Sequence, residues 1–127
     1  MTDLVVRAAG AEDLLAVLGV HARRDPGGDV PRSASAVERR TWDRVTRSEE
    51  LTVYLAEVDG EPVGTATLMV MPNVTYGCAP TAFVEAVVVA AEHRRQGIAR
   101  AMLRQLLADA RSARSRAPGV PAVATVV

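Results

Sequence analysis

Residues 83–100 read FVEAVVVAAEHRRQGIAR. From Phe83 to Val89 the residues are aromatic, β-branched or small apart from Glu85, which is how a central strand covered on both faces reads. From Gly97 the period changes. Ala99, Met102, Leu103, Leu106, Leu107 and Ala110 recur at helical spacing as a core stripe, with Arg100, Arg104 and Arg111 opposite. A buried strand therefore runs through a short turn into an amphipathic helix. The first N–H groups of a helix have no intrahelical acceptor and sit at the positive end of its dipole, so this junction favours an anion such as a phosphate. Gly97 lets a ligand approach the backbone, and Ala99 keeps the next exposed position small. Arg94, Arg95 and Arg100 surround the opening with planar forks that suit phosphate oxygens.

Outward from this stretch, turn and cap signals divide the chain. Leu4–Arg7 reads as a strand and 11–23 as a helix with Leu14, Leu18 and His21 on one side. Two prolines and two glycines make 25–33 a loop. Ser35 and Glu38 have capping-box spacing and open a second helix to about Ser48, with Val37, Thr41 and Val45 as its apolar side. Asp59-Gly60 is a hairpin turn between strands Leu51–Val58 and Pro62–Met71. Residues 73–80 form a loop before the motif strand, and Val120–Val127 is a last strand. The order β-α-α-β-β-β-α-β predicts an α/β fold, a mixed sheet flanked by helices.

The chain has 127 residues, enough for one core, and is expected to be a single domain whose last ~15 residues are atypical in composition. Its 15 basic and 15 acidic residues cancel, which speaks against a dedicated nucleic-acid binder. The charge is uneven: residues 92–127 hold seven Arg against Glu92 and Asp109. There is no lysine, so a phosphate loop ending in Gly-Lys-Ser/Thr is excluded. The longest apolar run, Ala86–Ala91, is far short of the roughly 20 residues of a membrane span. The acid-led N-terminus does not read as a signal peptide, and the single Cys78 forms no internal disulfide. The expectation is a cytoplasmic protein without membrane or nucleic-acid partners. Two histidines and one cysteine make no metal cluster.

The run Arg94-Arg95-Gln96-Gly97-Ile98-Ala99, after an apolar strand and opening an amphipathic helix, resembles the signature of the GNAT superfamily of N-acetyltransferases. That signature is Arg or Gln, two residues, Gly, one residue, then Gly or Ala. The resemblance covers residues 4 to about 112. It implies acetyl-coenzyme A as acetyl donor, its pyrophosphate on the backbone amides of residues 95–100 and its pantetheine arm paired with the strand at Val87, Val88 and Val89. It also implies transfer to a small-molecule or peptide amine by direct attack, and it makes Glu85 the candidate general base. Glu85 stands among apolar neighbours, and burial makes a carboxylate a stronger base. Trp42 and Tyr76 are weaker candidates for the acceptor pocket.

Members of the superfamily usually continue after the fifth strand with a helix and two further strands, and that part often supplies a tyrosine acid. The sequence stops at Val127 and its tail has no tyrosine, so no general acid is assigned. The alternative function is a coenzyme A-binding module with impaired catalysis that acts through interaction or regulation. A final apolar strand left at a sheet edge predicts a homodimer or larger assembly, or else a poorly soluble and marginally stable monomer.

Overall fold

The computed structural model describes residues 3–114 and 123–126, with side chains described for 3–75 and 77–112. One sheet runs in the order β1 (Leu4–Ala8), β2 (Leu51–Val58), β3 (Glu61–Met71), β4 (Thr81–Val89), β5 (Val123–Val126). The first four strands are antiparallel in sequence, and β5 lies parallel to β4, so the sheet is mixed as the element order predicts. Helices α1 (Leu14–Ala22) and α2 (Ala36–Arg47) cover one face, and α3 (Ile98–Arg114) covers the other.

The elements start and stop where local chemistry directs them. Asp59 and Gly60 both adopt left-handed backbone (φ 50° and 82°), the twist of a two-residue hairpin turn between β2 and β3. Ser35 caps α2: its hydroxyl accepts from Glu38 N–H at 3.0 Å while the Glu38 carboxylate accepts from Ser35 N–H at 2.8 Å.

The strand buried on both faces is β3, the middle of the sheet. Val63, Thr65, Ala66 and Leu68 are all buried, and the Thr65 hydroxyl donates to Tyr54 O at 2.8 Å. β4 meets the expectation only in part, because Glu85 and Ala86 are exposed. On the α3 side, Ile98, Met102, Leu106 and Ala110 form the core stripe against Ala56, Ala66 and Val84. Helix α2 turns differently from the predicted Val37–Thr41–Val45 face. Val37 and Thr41 are exposed, and Trp42 is the buried residue. Its indole N–H donates to both Gly10 O and Ala11 O at 3.2 Å, which fixes the helix rotation by giving a large apolar ring and its polar tip one seat.

Asp13 ties β1 to the start of α1. It accepts from Arg7 Nη1 and Nη2 at 2.8 and 2.9 Å and from Gly10 N–H at 2.7 Å, and it is buried. The Arg7 guanidinium lowers the Asp13 pKa, and the Gly10 N–H adds to this against the opposing effect of burial. A depressed carboxylate contributes stability above its ordinary range and loses it as pH falls through the native value. Asp13→Asn is therefore expected to cost about 1–2 kcal/mol at neutral pH, discounted for the partly exposed Arg7. Urea midpoints should show that gap narrowing below about pH 4. A gap independent of pH would contradict this assignment.

Candidate active site

The junction between β4 and α3 is built by one bulge, one curled turn and one glycine seat. Thr67 faces Glu85 and Thr65 faces Val88, so three steps of β4 answer two of β3. Ala86 takes up the extra residue at φ 54°, a left-handed conformation costly for a residue with a Cβ. An added residue reverses which side chains face which layer. Ahead of the bulge Ala82 and Val84 pack toward α3. Beyond it Val87 and Val89 do so, and Val88 packs with α1 and α2. β5 pairs with Thr81–Val84 and goes no further, so from Glu85 to Val89 the outer edge of β4 has no strand partner among the described residues.

The chain then makes a single 3-10 turn at Ala91–His93 and leaves through an extended Arg94. Arg95 and Gly97 are left-handed (φ 63° and 78°) on either side of Gln96. Such alternation curls successive N–H groups toward one point, a shape that holds anions. The first intrahelical bond of α3 runs from Ala101 N–H to Gly97 O at 3.0 Å. The N–H groups of Ile98, Ala99 and Arg100 thus precede the ladder. A Cβ built on Gly97 would meet nothing within 4 Å, so that side of the turn is open. The first turn of α3 sits close on the sheet because β3 presents Gly64 beneath it. A Cβ there would stand 3.0 Å from Met102 Cε and 3.1 Å from Ile98 Cγ2.

These features enclose a cavity of about 340 Å³. Val87 and Val89 form its strand wall, and Arg94, Arg95, Gly97, Ile98, Ala99 and Arg100 form the turn and helix side. Eight of the ten residues that the motif nominated for the coenzyme thus meet at one opening. Val88 and Gln96 do not line it. Val88 is turned to the opposite core by the bulge, and Gln96 is exposed. Arg94 lines the cavity, but its guanidinium donates to Arg24 O. His93 escaped sequence reasoning: it lines the same cavity, and its Nδ1 is buried with no hydrogen-bond partner among the described residues. Its place directly before Arg94 was the available signal.

Glu85 departs from expectation. It pairs with Thr67 at the edge of the bulge, one position beyond the β5 pairing, and is exposed. The alternation of the leading half of β4 puts it on the face that α1 and α2 cover. Trp42 lies elsewhere, in an apolar cleft of about 280 Å³ between α1 and α2 that shares no residue with the coenzyme-side cavity. Tyr76 begins the 3-10 turn Tyr76–Cys78 between β3 and β4, and its side chain lies outside the described residues. Among the described residues no group of three His, Cys, Asp or Glu is placed to hold a metal, and no helix is long and apolar enough to cross a membrane.

The profile of the Acetyltransferase (GNAT) family matches residues 17–122, which include the whole junction. The chain belongs to the GNAT acetyltransferase family. Among solved structures, a protein of Agrobacterium tumefaciens str. C58 provisionally assigned as an acetyltransferase superposes with a TM-score of 0.79 at 28% identity, over 97% of this chain and 80% of that one. A Trypanosoma brucei acetyltransferase gives 0.75 at 24% identity, over 98% and 82%. An aminoglycoside N-acetyltransferase in complex with CoA shares the fold at 0.67 and 19% identity, over 100% and 78%. No curated protein matches this chain significantly.

Gly97→Glu tests the GNAT junction. It places a carboxylate on the open side of the turn, at a backbone cost of about 1–2 kcal/mol for a left-handed residue with a side chain. Calorimetry is expected to show coenzyme A affinity reduced by more than about tenfold, from loss of charge-assisted bonds, with the circular dichroism spectrum retained. Unchanged affinity in the folded variant would refute the site.

Proposed function

We propose that the protein transfers an acetyl group from acetyl-coenzyme A to a primary amine by direct attack, in the cytoplasm and without a metal. The observation that carries this reading is the cavity where the part of β4 beyond its pairing with β5 meets the first turn of α3. It is concave, open at Gly97 and lined by backbone donors and arginines, so its residues fit a pyrophosphate. The coenzyme supplies an activated acetyl thioester when bound.

The N–H groups of residues 95–100 would hold the pyrophosphate, and the edge at Val87–Val89 would accept the amide-bearing arm as an added strand. A β4 N–H near Val87 would polarise the thioester carbonyl. In the transfer the amine nitrogen bonds the acetyl carbon, the carbon–sulfur bond breaks, and the amine proton passes to the Glu85 carboxylate directly or through water. Its exposure at the bulge, on the face of α1 and α2, leaves it accessible to an acceptor.

Tyr54 is not suited to protonate the leaving thiolate. It is buried, its hydroxyl donates to Asp109, and burial first and Asp109 second push its pKa up. Asp109 lies about 16 Å along α3 from Ile98, at 1.5 Å per residue. This observation favours the alternative, a coenzyme-binding module with impaired turnover, and turnover itself separates the two. Solved neighbours include proteins titled aminoglycoside acetyltransferase and glucosamine-6-phosphate N-acetyltransferase, so amino sugars belong in an acceptor panel beside polyamines, amino acids and peptides.

On such a panel, thiol release from acetyl-coenzyme A is expected with at least one amine. Glu85→Gln should lower kcat by about 10²–10⁴ while coenzyme affinity stays near wild type, and the defect should shrink at high pH, where the amine is already neutral. Wild-type turnover in that variant would leave Glu85 outside the chemistry, and coenzyme binding without turnover on any amine would favour the alternative. The outer edge of β5 has no partner among the described residues, and a second copy is the proposed one. Sedimentation should then show a dimer at micromolar concentration, and a monomer well above it would contradict this.

A further inference from the structure

The residues just past α1 are tied at three points to the segment Ala91–Arg94, which leads into the turn at 94–97. Ala91 N–H donates to Arg23 O at 2.9 Å, Arg94 Nη2 donates to Arg24 O, and Arg23 Nε stands 3.6 Å from Glu92 Oε1. Arg23 extends the connection to the β2–β3 hairpin, donating from Nη1 to Pro62 O at 3.0 Å and pairing Nη2 with Glu61 at 3.2 Å. The last carbonyls of a helix have no intrahelical donor. Here those just past α1 are met by a segment about seventy residues away in sequence.

The turn needs such fixing. Arg95 holds a left-handed backbone at φ 63° without being glycine, and a strained residue persists only where its surroundings over-determine it. The C-terminal side of the turn is set by α3 seated over Gly64. The bonds from Ala91 and Arg94 set its N-terminal side.

We infer that Arg94 is a positioning residue and not a phosphate ligand. It clamps the turn at 94–97 to the residues just past α1, so that the coenzyme site and the end of α1 are held as one unit. The clamp is a statement about geometry, while its consequence for binding rests on the coenzyme reading above. A guanidinium that bonded phosphate would act through its charge. One that bonds a carbonyl acts through its donor and its reach, a contribution that added salt leaves largely unchanged.

The test uses the full chain with Arg94→Ala and Arg94→Gln, reading amide exchange at Ala91 in the free protein and coenzyme A affinity by calorimetry at about 50 and 500 mM salt, conditions that differ several-fold in screening length. Arg94→Ala is expected to speed Ala91 exchange and to weaken coenzyme A, each by about tenfold for the loss of a charge-assisted bond, with the same affinity factor at both salts. Arg94→Gln, whose amide ends short of the guanidinium's reach to Arg24 O, should lose as much as Arg94→Ala, again by a factor that salt leaves unchanged. Equal losses for Ala and Gln that shrink at high salt would overturn the proposal in favour of direct phosphate contact. Unchanged Ala91 exchange in Arg94→Ala would also overturn it, whatever the coenzyme does. Faster exchange in that variant, in a protein whose wild type binds no coenzyme A, would uphold the clamp and refute the coenzyme reading alone.

Discussion

One extra residue in β4 governs the geometry of the site. With Ala86 inserted, the strand that begins as an ordinary member of the sheet reverses its faces halfway along. Val87 and Val89 then point to the layer of α3, and Val88 joins the layer of α1 and α2. Among the described residues, β5 pairs with β4 only as far as Val84, ahead of the bulge. A sheet edge normally presents unpaired N–H and C=O groups as a liability. Here such an edge lies beside the helix start that would hold the pyrophosphate, where an extended ligand with its own amides can pair with it.

The electrostatics of the junction come from backbone as much as from side chains. Helix α3 is held close to the sheet by Gly64, and its first N–H groups open on the cavity with the two left-handed residues of the turn. Three of the seven arginines of residues 92–127, Arg94, Arg95 and Arg100, line the same opening. Arg95 and Arg100 are exposed at its rim, while the Arg94 guanidinium is engaged with the end of α1. Charge in a motif is therefore a poor guide to which arginine touches a ligand. The bond it already makes decides.

Much of the fold was legible from local signals. The Ser35–Glu38 capping box, the Asp59-Gly60 turn and the stripe on α3 act within a few residues, and each appears where the spacing put it. The cavity between β4 and α3 was legible for a similar reason, since strand, turn and helix start are contiguous in sequence. What escaped depends on partners far along the chain. The bulge at Ala86 is defined only against Thr65 and Thr67, so neither the exposure of Glu85 nor the reversal of Val88 could be read from apolar runs. The rotation of α2 follows from carbonyls at Gly10 and Ala11 that capture Trp42, so that of the side periodicity favoured only Val45 packs on the core. The target of Arg94 lies beyond the end of α1, across the fold.

The central claim is that a single surface, the unpaired half of β4 and the start of α3, receives acetyl-coenzyme A. Backbone amide resonances followed during titration with acetyl-coenzyme A test it most directly. The account predicts that the largest perturbations fall on Val87–Val89 and on residues 95–100, with smaller ones at Arg23 and Arg24. Saturable binding with perturbations confined to the apolar cleft around Trp42, and none at Gly97–Arg100, would contradict it.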